Sequence, residues 1–350
     1  MKNRNYIHLF ANCLITKGIS RSVICDLQRS KYVLIPNSFA DLFSKQRYYN
    51  LKEAPRIFDQ ENLSIFHEYV AVLKDHNFIF SCSKKELKRF PQLQLKFEYP
   101  AKITNAIIDF DKNSNTTIKD IIQYFLIPYN CRHIQIRCFE DMDSIFFDTL
   151  ITEINHCFIK SVEFIIKDSF EQDYTQIMKW VENNRKIKSL VLHSSQENKV
   201  IQKENYGFGI VVTTRQKITS ESHCGIIHPD YFNITIESYT ESLCYNSCLN
   251  RKISIDKSGN IKNCPSMKQS FGNIKSIKTL DSIIENPDFN KYWTISKDKI
   301  ETCMYCEFRY ICIDCRAYLV APENIYSKPQ KCGYDPFTNK WKWDYESFIK

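Results

Sequence analysis

The sequence predicts an α/β protein in three consecutive parts, and three observations carry that reading. A hairpin-and-helix pattern fills residues 1–90. Strand and helix signals alternate at regular spacing through residues 100–238. Eight of the fifteen cysteines crowd into residues 240–350. A chain of 350 residues is long enough for two or three domains. With 43% hydrophobic residues it can bury a sizeable core.

In the first part, Val23–Leu27 and Tyr32–Ile35 are short β-prone runs joined by the polar turn Gln28–Lys31. Pro36-Asn37-Ser38 stops the second strand and starts a helix from Phe39 to about Lys45. A second helix runs from about Leu63 to Asp75, because Phe66, Tyr69, Val70 and Leu73 recur at helical spacing. Phe78–Phe80 then reads as a closing strand. Hairpin, helices and closing strand together predict a winged-helix-like domain.

In the second part, Ile103–Phe110, His133–Cys138, Ser161–Ile166 and Ile187–His193 are candidate strands whose starts lie 26–30 residues apart. That is the period of a βα unit. Helices are expected over Thr117–Phe125, Asp143–Ile154 and Tyr174–Asn183, with Asp143 and Asp173 as N-caps. Parallel strands with right-handed crossovers follow, as a sheet or a partial βα barrel. Phe208–Thr214 and Tyr231–Ile236 are further strand candidates. No GxGxxG or Walker-type loop occurs in this part.

In the third part, Lys252–Ile255 and Asn260–Lys262 flank a turn at Gly259. This hairpin would present Cys248 and Cys264 near each other at its open end. A short helix is expected near Leu280–Glu285, and the aromatic end, Trp341 to Tyr345, is expected to pack. Downstream come Cys303-x2-Cys306-x5-Cys312-x2-Cys315 and a last cysteine at 332. Two residues between cysteines let one tight turn supply two thiolates to one centre. With Cys244, these are eight thiolates, enough for two four-ligand sites. Spacing alone leaves zinc and iron–sulfur clusters both open. The scattered cysteines, Cys13, Cys25, Cys82, Cys131, Cys138, Cys157 and Cys224, read as small buried hydrophobes. His223 and His228 beside Cys224 form a weak further metal pattern. Glu307, Arg309, Asp314 and Arg316 lie between the ligand positions. They are expected to pair with one another or to tune the ligands through hydrogen bonds.

Composition narrows the function classes. Net charge is +8, but the basic residues form no run of five or six, which argues against a nucleic-acid-binding role. No stretch of about 18 apolar residues could cross a membrane, and the first residues lack a signal-peptide h-region. A cytoplasmic chain is expected, with reduced thiols that favour ligation over disulfides.

Beyond spacing, the pattern Cys248-x10-Gly259-x4-Cys264, Cys303-x2-Cys306-x5-Cys312-x2-Cys315 and Cys332 resembles the SPASM domain, the auxiliary-cluster module of radical SAM peptide-maturing enzymes. The chain departs from the family by one residue, having two rather than three between Cys312 and Cys315. By position the resemblance implies two 4Fe–4S clusters. Cys244, Cys248, Cys264 and Cys315 would hold one, and Cys303, Cys306, Cys312 and Cys332 the other. The radical SAM motif CxxxCxxC is missing. Arg251 follows Cys244-x3-Cys248 where a third cysteine is needed, so cleavage of S-adenosylmethionine is not expected. The run from Phe10 to Gly18, that from Arg21 to Arg29, Ile35-Pro36-Asn37, and Cys306 to Ala317 resemble the SPASM-domain peptide maturase of grasp-with-spasm systems.

That resemblance implies a precursor-peptide partner and an ATP-grasp ligase partner, and makes residues 1–90 a leader-recognition element. Physically, a leader can add to a free sheet edge through main-chain hydrogen bonds while pockets along a helix read its side chains. Val23, Ile24, Tyr32, Val33, Phe66, Tyr69 and Leu73 are the candidate peptide-binding residues. The competing reading is a zinc-stapled regulatory or nucleic-acid-binding protein with two zinc ions.

Overall fold

The computed structural model describes residues 4–114, 116–170, 173–201 and 209–342. Its first strands are β1 (Tyr6–Leu9), β2 (Cys13–Lys17), β3 (Ser22–Asp26), β4 (Lys31–Ile35), β5 (Tyr48–Asn50) and β6 (Ile79–Cys82). They form two antiparallel three-stranded sheets, ordered β2-β3-β4 and β5-β1-β6. The predicted hairpin is β3–β4. Its turn is held by Asp26, whose carboxylate accepts from the amides of Gln28 and Arg29 at 3.0 Å and from the Arg29 guanidinium at 2.8 Å. The predicted closing strand departs from expectation. β6 pairs with β1, not with the hairpin, so two small sheets replace one winged sheet.

Helices α1 (Asn37–Asp41), α2 (Ala54–Ile57) and α3 (Gln60–Asp75) follow this hairpin. Asp59 caps α3 by accepting from the Asn62 amide at 2.8 Å. Phe66, Val70 and Leu73 form its buried face, with Phe66 against the rings of Phe39, Tyr49 and Phe58. The helix ends at Asn77, whose left-handed φ of 60° turns the chain into β6.

A third, larger sheet follows, made of β7 (Asn105–Phe110), β8 (His133–Cys138), β9 (Ser161–Lys167), β10 (Ile187–His193), β11 (Lys199–Val200), β12 (Ile210–Thr214), β13 (Lys252–Ile255) and β14 (Ile261–Lys262). Its order is β11-β12-β10-β9-β8-β7-β13-β14. From β12 across to β13 all neighbours are parallel, and the two edge strands are antiparallel. The crossovers carry α4 (Ile118–Asp120, continued as a π-helical turn to Leu126), α5 (Ser144–Asn155) and α6 (Thr175–Asn183). Asp143 caps α5 as expected, whereas the N-cap of α6 is Tyr174 and Asp173 instead accepts from the Thr175 amide. The predicted C-terminal hairpin is present as β13–β14, and β13 also extends the parallel sheet beside β7. The strand expected over Tyr231–Ile236 is absent. Thr235 caps a helix, α7 (Ile236–Cys244), by accepting from the Ser238 amide at 3.2 Å, and that local bond favours a helix start. The expected strand start at Phe208 and the aromatic tail beyond residue 342 lie outside the described residues.

Two compact units result, and neither is one continuous segment. The first comprises Met1–Phe97, Ile227–Ser247 and Ile295–Trp343; the second contains Glu98–Ile226 and Cys248–Thr294. These are not the three consecutive segments read from the sequence, because packing groups the N-terminal sheets with most of the cysteine-rich tail. In the first unit one buried cluster joins Leu14, Val23 and Cys25 of β2–β3 to Tyr239, Phe308, Ile311 and Tyr334. Arg21 clamps the same junction, donating to Glu307 at 2.6 Å and to the Tyr334 hydroxyl at 3.0 Å. Gly18 lets the β2–β3 turn approach closely. A Cβ there would lie 2.7 Å from the Arg21 carbonyl oxygen and 2.8 Å from the Glu307 amide nitrogen. Gly18→Ala is therefore expected to destabilise this unit by about 1–3 kcal/mol, read as a lower urea midpoint. An unchanged midpoint would show that the backbone yields there.

Candidate metal centres

Cys303, Cys306, Cys312 and Cys332 line one cavity in the first unit, with Ile227, Phe232, Lys297, Phe308, Arg309, Tyr334 and Trp341. A one-turn 3-10 helix at Cys303–Tyr305 folds Cys306 back, so that its amide donates to the Cys303 carbonyl at 2.9 Å. A further turn donates the Cys312 amide to the Phe308 carbonyl at 3.0 Å. Cys332 arrives beside Ile227 through an isolated parallel bridge. Two short turns and this bridge thus bring the four cysteines to the lining of one cavity.

Lys297 marks this cavity, being only 4% exposed. Its Nζ donates to the Cys312 sulfur at 3.0 Å and to the Ile313 carbonyl at 2.6 Å. Burial alone would pull its pKa down, but the sulfurs of Cys312 and Cys303, when these are thiolates, together with Asp314, raise it. Asp314 is itself satisfied by Arg316 at 2.7 Å and by Asn246. A buried ammonium beside thiols fits a site whose sulfurs carry negative charge. Burial pushes the Cys303 thiol up to about 12, and those of Cys306 and Cys312 also upward, so without a metal these groups hold their protons. The cavity volume is about 20 Å³. A volume of that size suits a single ion, whereas a four-iron cluster needs the side chains to turn outward. Among the described residues, no three His, Cys, Asp or Glu side chains already stand close enough together to hold a metal ion.

The other expected set divides between the units. Cys248 and Cys264 belong to the second unit; Cys244 and Cys315 belong to the first. Cys264 is buried and Cys248 half-buried at the foot of the β13–β14 hairpin. Lys252 points its Nζ at the Cys248 sulfur, 3.4 Å away. Cys244 is exposed at the end of α7, and Cys315 is buried. Arg309 pairs with Asp298 at 2.9 Å, so of the charged residues between ligands only Asp314 and Arg316 pair with each other.

The candidate peptide-binding residues separate by burial. Val23, Ile24, Phe66 and Leu73 are core residues, between 0% and 2% exposed, and cannot meet a ligand. β3 is the central strand of its sheet, which buries both of its faces. Tyr32 and Val33 lie on β4, an edge strand, with Tyr32 exposed. Val33 and Tyr69 pack, half-buried, against the buried cluster that contains Ile24, Phe66 and Leu73. Ile65 and Val72, which share the outward face of α3 with Tyr69, are 43% and 46% exposed.

Sequence reasoning missed a cavity of about 260 Å³ in the second unit, at the carboxyl ends of β7 and β8. Asp109, Asp111, Glu140, Glu221 and Asp256 line it, with Lys257 and Lys262. Asp109 and Arg137 are cross-strand partners in register, joined by two 2.7 Å hydrogen bonds. The available signal was one residue of each charge, Asp109 and Arg137, inside two neighbouring strands.

No family model matches the sequence, and no curated protein matches it. Among solved structures, the chain is similar to Streptococcus suis SuiB. With S-adenosylmethionine bound, that structure is 12% identical, with 93% of this chain and 99% of that chain covered and a TM-score of 0.40. With the precursor peptide SuiA bound, the figures are 11%, 93%, 99% and 0.41. For SuiB without a stated ligand they are 13%, 92%, 99% and 0.37. No described helix is long and apolar enough to cross a membrane.

Proposed function

We propose that this chain is an accessory protein in the maturation of a ribosomally made peptide. It binds the precursor leader, carries two thiolate-ligated 4Fe–4S clusters, and works with an ATP-grasp ligase. The observation that carries this reading is the convergence of Cys303, Cys306, Cys312 and Cys332 on one cavity against the buried Lys297. These four residues would hold one centre; Cys248 and Cys264 would anchor the other. A bound cluster supplies one-electron transfer or bracing of the fold. The chain's own groups set its environment: Lys297 balances thiolate charge, and Phe232, Phe308 and Trp341 exclude water. Cleavage of S-adenosylmethionine is not part of the proposal, since Asp111–Ser114, after β7, brings no thiolate.

Peptide recognition is assigned to the β4 edge, with Tyr32 and Val33, and to the outward face of α3 with Tyr69. An extended leader pairing with β4 would gain main-chain hydrogen bonds, and the apolar stripe of α3 would read its side chains.

A second reading keeps the ligands and changes the metal. The small cavity at Cys303–Cys332 suits one zinc ion, which would make the chain a zinc-stapled regulator.

The deciding experiment is metal and sulfide analysis of protein purified without oxygen. A brown protein with about eight iron and eight sulfide per chain is expected. Colourless protein with two zinc ions would shift the assignment to the second reading. Fluorescence anisotropy with the short precursor peptide encoded beside the chain tests its role. Val33→Asp with Tyr69→Ala is expected to weaken binding at least about tenfold. If the unsubstituted protein shows no affinity for that peptide, the recognition role is lost.

A further inference from the structure

We propose that Thr302 is a positioning residue for the centre lined by Cys303, Cys306, Cys312 and Cys332, its strained backbone fixing where Cys303 stands. The inference rests on reading those four cysteines as ligands, and it adds a residue that is not itself a ligand.

Exposure does not single out the ligands here. Cys224, which the sequence placed among the buried cysteines, is exposed, whereas Cys303 is buried. What sets Cys303 apart is the backbone just before it. Thr302 has φ 65° and ψ −44°. Side chains crowd the backbone in that region, and glycine alone enters it without that cost. Of the described non-glycine residues with positive φ, only Thr302 is β-branched. A hydrogen bond identifies the conformation. The Cys303 amide donates to the Glu301 carbonyl at 2.7 Å, closing a three-residue γ-turn. With a positive φ and a negative ψ at its centre, this is the rare and strained form of that turn.

A strained residue persists only where its surroundings over-determine it, and here both sides are pinned. Upstream, Ile300 is fully buried. The Glu301 amide donates to the Tyr326 carbonyl at 2.9 Å, and its carboxylate accepts from the Asn324 side chain at 2.8 Å. Downstream, the Met304 amide donates to the Ile300 carbonyl at 3.0 Å, and the Tyr305 carbonyl accepts from the Ile19 amide at 2.8 Å. The chain reverses between these anchors, and the reversal falls on Thr302. Cys303 leaves the turn 7% exposed, while Met304 and Tyr305, on the same one-turn helix, are 43% and 42% exposed. The turn thus sends the cysteine inward and its neighbours outward.

In the natural chain the cost of placing Cys303 is met on folding. Glycine at position 302 relieves it, and the cost then falls on metal binding. Stability of the metal-free protein and affinity for metal should therefore move in opposite directions. A residue with only a structural role would lower both or neither.

The test compares full-length protein with Thr302, Thr302→Gly or Thr302→Ala, each also carrying Cys248→Ser and Cys264→Ser so that the Cys303 centre alone is titrated. Urea midpoints of the metal-free proteins are the first readout. Zinc affinity, by competition with a chromophoric chelator, is the second. Thr302→Gly is expected to raise the midpoint and to bind zinc about tenfold more weakly. Glycine's greater freedom in the unfolded chain works against that rise, so a rise reports relief of strain. Thr302→Ala keeps the Cβ and should match threonine in affinity; an equal loss there would assign the effect to the side chain and overturn the proposal. A Thr302→Gly midpoint at or below that of the threonine protein, or unchanged zinc affinity, overturns it too, while leaving the four ligands in place. Unsubstituted protein that takes up neither zinc nor iron overturns both this inference and the reading it rests on.

Discussion

Stripping the metal proposed for the Cys303–Cys332 cavity is expected to melt the unit that contains it while the parallel sheet stays folded. The reason is how little regular structure holds that segment. Beyond Ile295 the described chain has one-turn 3-10 helices and a two-stranded ribbon, β15 (Tyr334–Asp335) with β16 (Lys340–Trp341). Ordering such loops costs about 1–2 kcal/mol per residue, and it is offset by scattered turn and bridge hydrogen bonds rather than by a continuous ladder. A structural metal contributes about 10–16 kcal/mol in small sites, comparable with the 5–15 kcal/mol that holds a whole domain. Circular dichroism melts before and after chelation should show one transition disappear and one persist. Identical melts would sink the idea. The pH dependence has opposite signs in the two forms. In metal-free protein, burial raises Cys303 and Cys264 from 9.0 to about 12. The folded chain then keeps protons that the unfolded chain releases, so this stability is full below pH 9 and is lost as pH rises toward 12. In loaded protein the ligands have already lost their protons, and acid competes with the metal instead.

Arg137→Ala should be the most damaging single substitution in the second unit, by about 3–5 kcal/mol. Both side chains of the pair are buried, 4% and 8% exposed, and joined by two 2.7 Å hydrogen bonds. Removing the guanidinium leaves the Asp109 carboxylate without its counterion in the sheet. Burial already pushes the Asp109 carboxyl above the usual carboxylate range, with Arg137 restraining it. In the variant that restraint is gone, so the folded state prefers the protonated acid. The sign follows: the variant's deficit is smallest at acid pH and grows as pH rises through the elevated Asp109 pKa. Urea titrations at two pH values check this, and a deficit independent of pH would refute the account. Replacing both residues together, Arg137→Met with Asp109→Leu, should recover most of the loss, since it leaves no buried charge behind.

How much of this was legible depended on whether a residue's neighbours were local. β8, β9 and β10 were readable from apolar runs at a βα period, and Asp143 from the cap chemistry of its own helix. The β13–β14 hairpin was readable from Gly259, which adopts a positive φ of 81°. The pairing of β13 with β7 was not, because nothing in four residues specifies a partner 147 positions away. Val23 and Ile24 were misread as ligand-facing. The unbroken run Val23-Ile24-Cys25 is the mark of a strand buried on both faces, and a peptide cannot reach it. Phe66 and Leu73 went the same way, since helical spacing reports the core face and not the exposed Ile65 and Val72. The cavity cysteines were legible because thiol chemistry demands close spacing, whereas Lys297 had no local signal.

The junction of β2 and β3 with Phe308 and Tyr334 also bears on how the chain is made. Arg21 and Glu307 are 286 residues apart. At roughly 5–20 residues per second, a ribosome adds the second roughly 15–60 s after the first. Until Phe308, Ile311 and Tyr334 have been made, the cluster around Leu14, Val23 and Cys25 is incomplete. Nascent chains cut short before Phe308 should therefore recruit chaperones and aggregate, and the β2–β3 junction closes only after Phe308 and Tyr334 have been added.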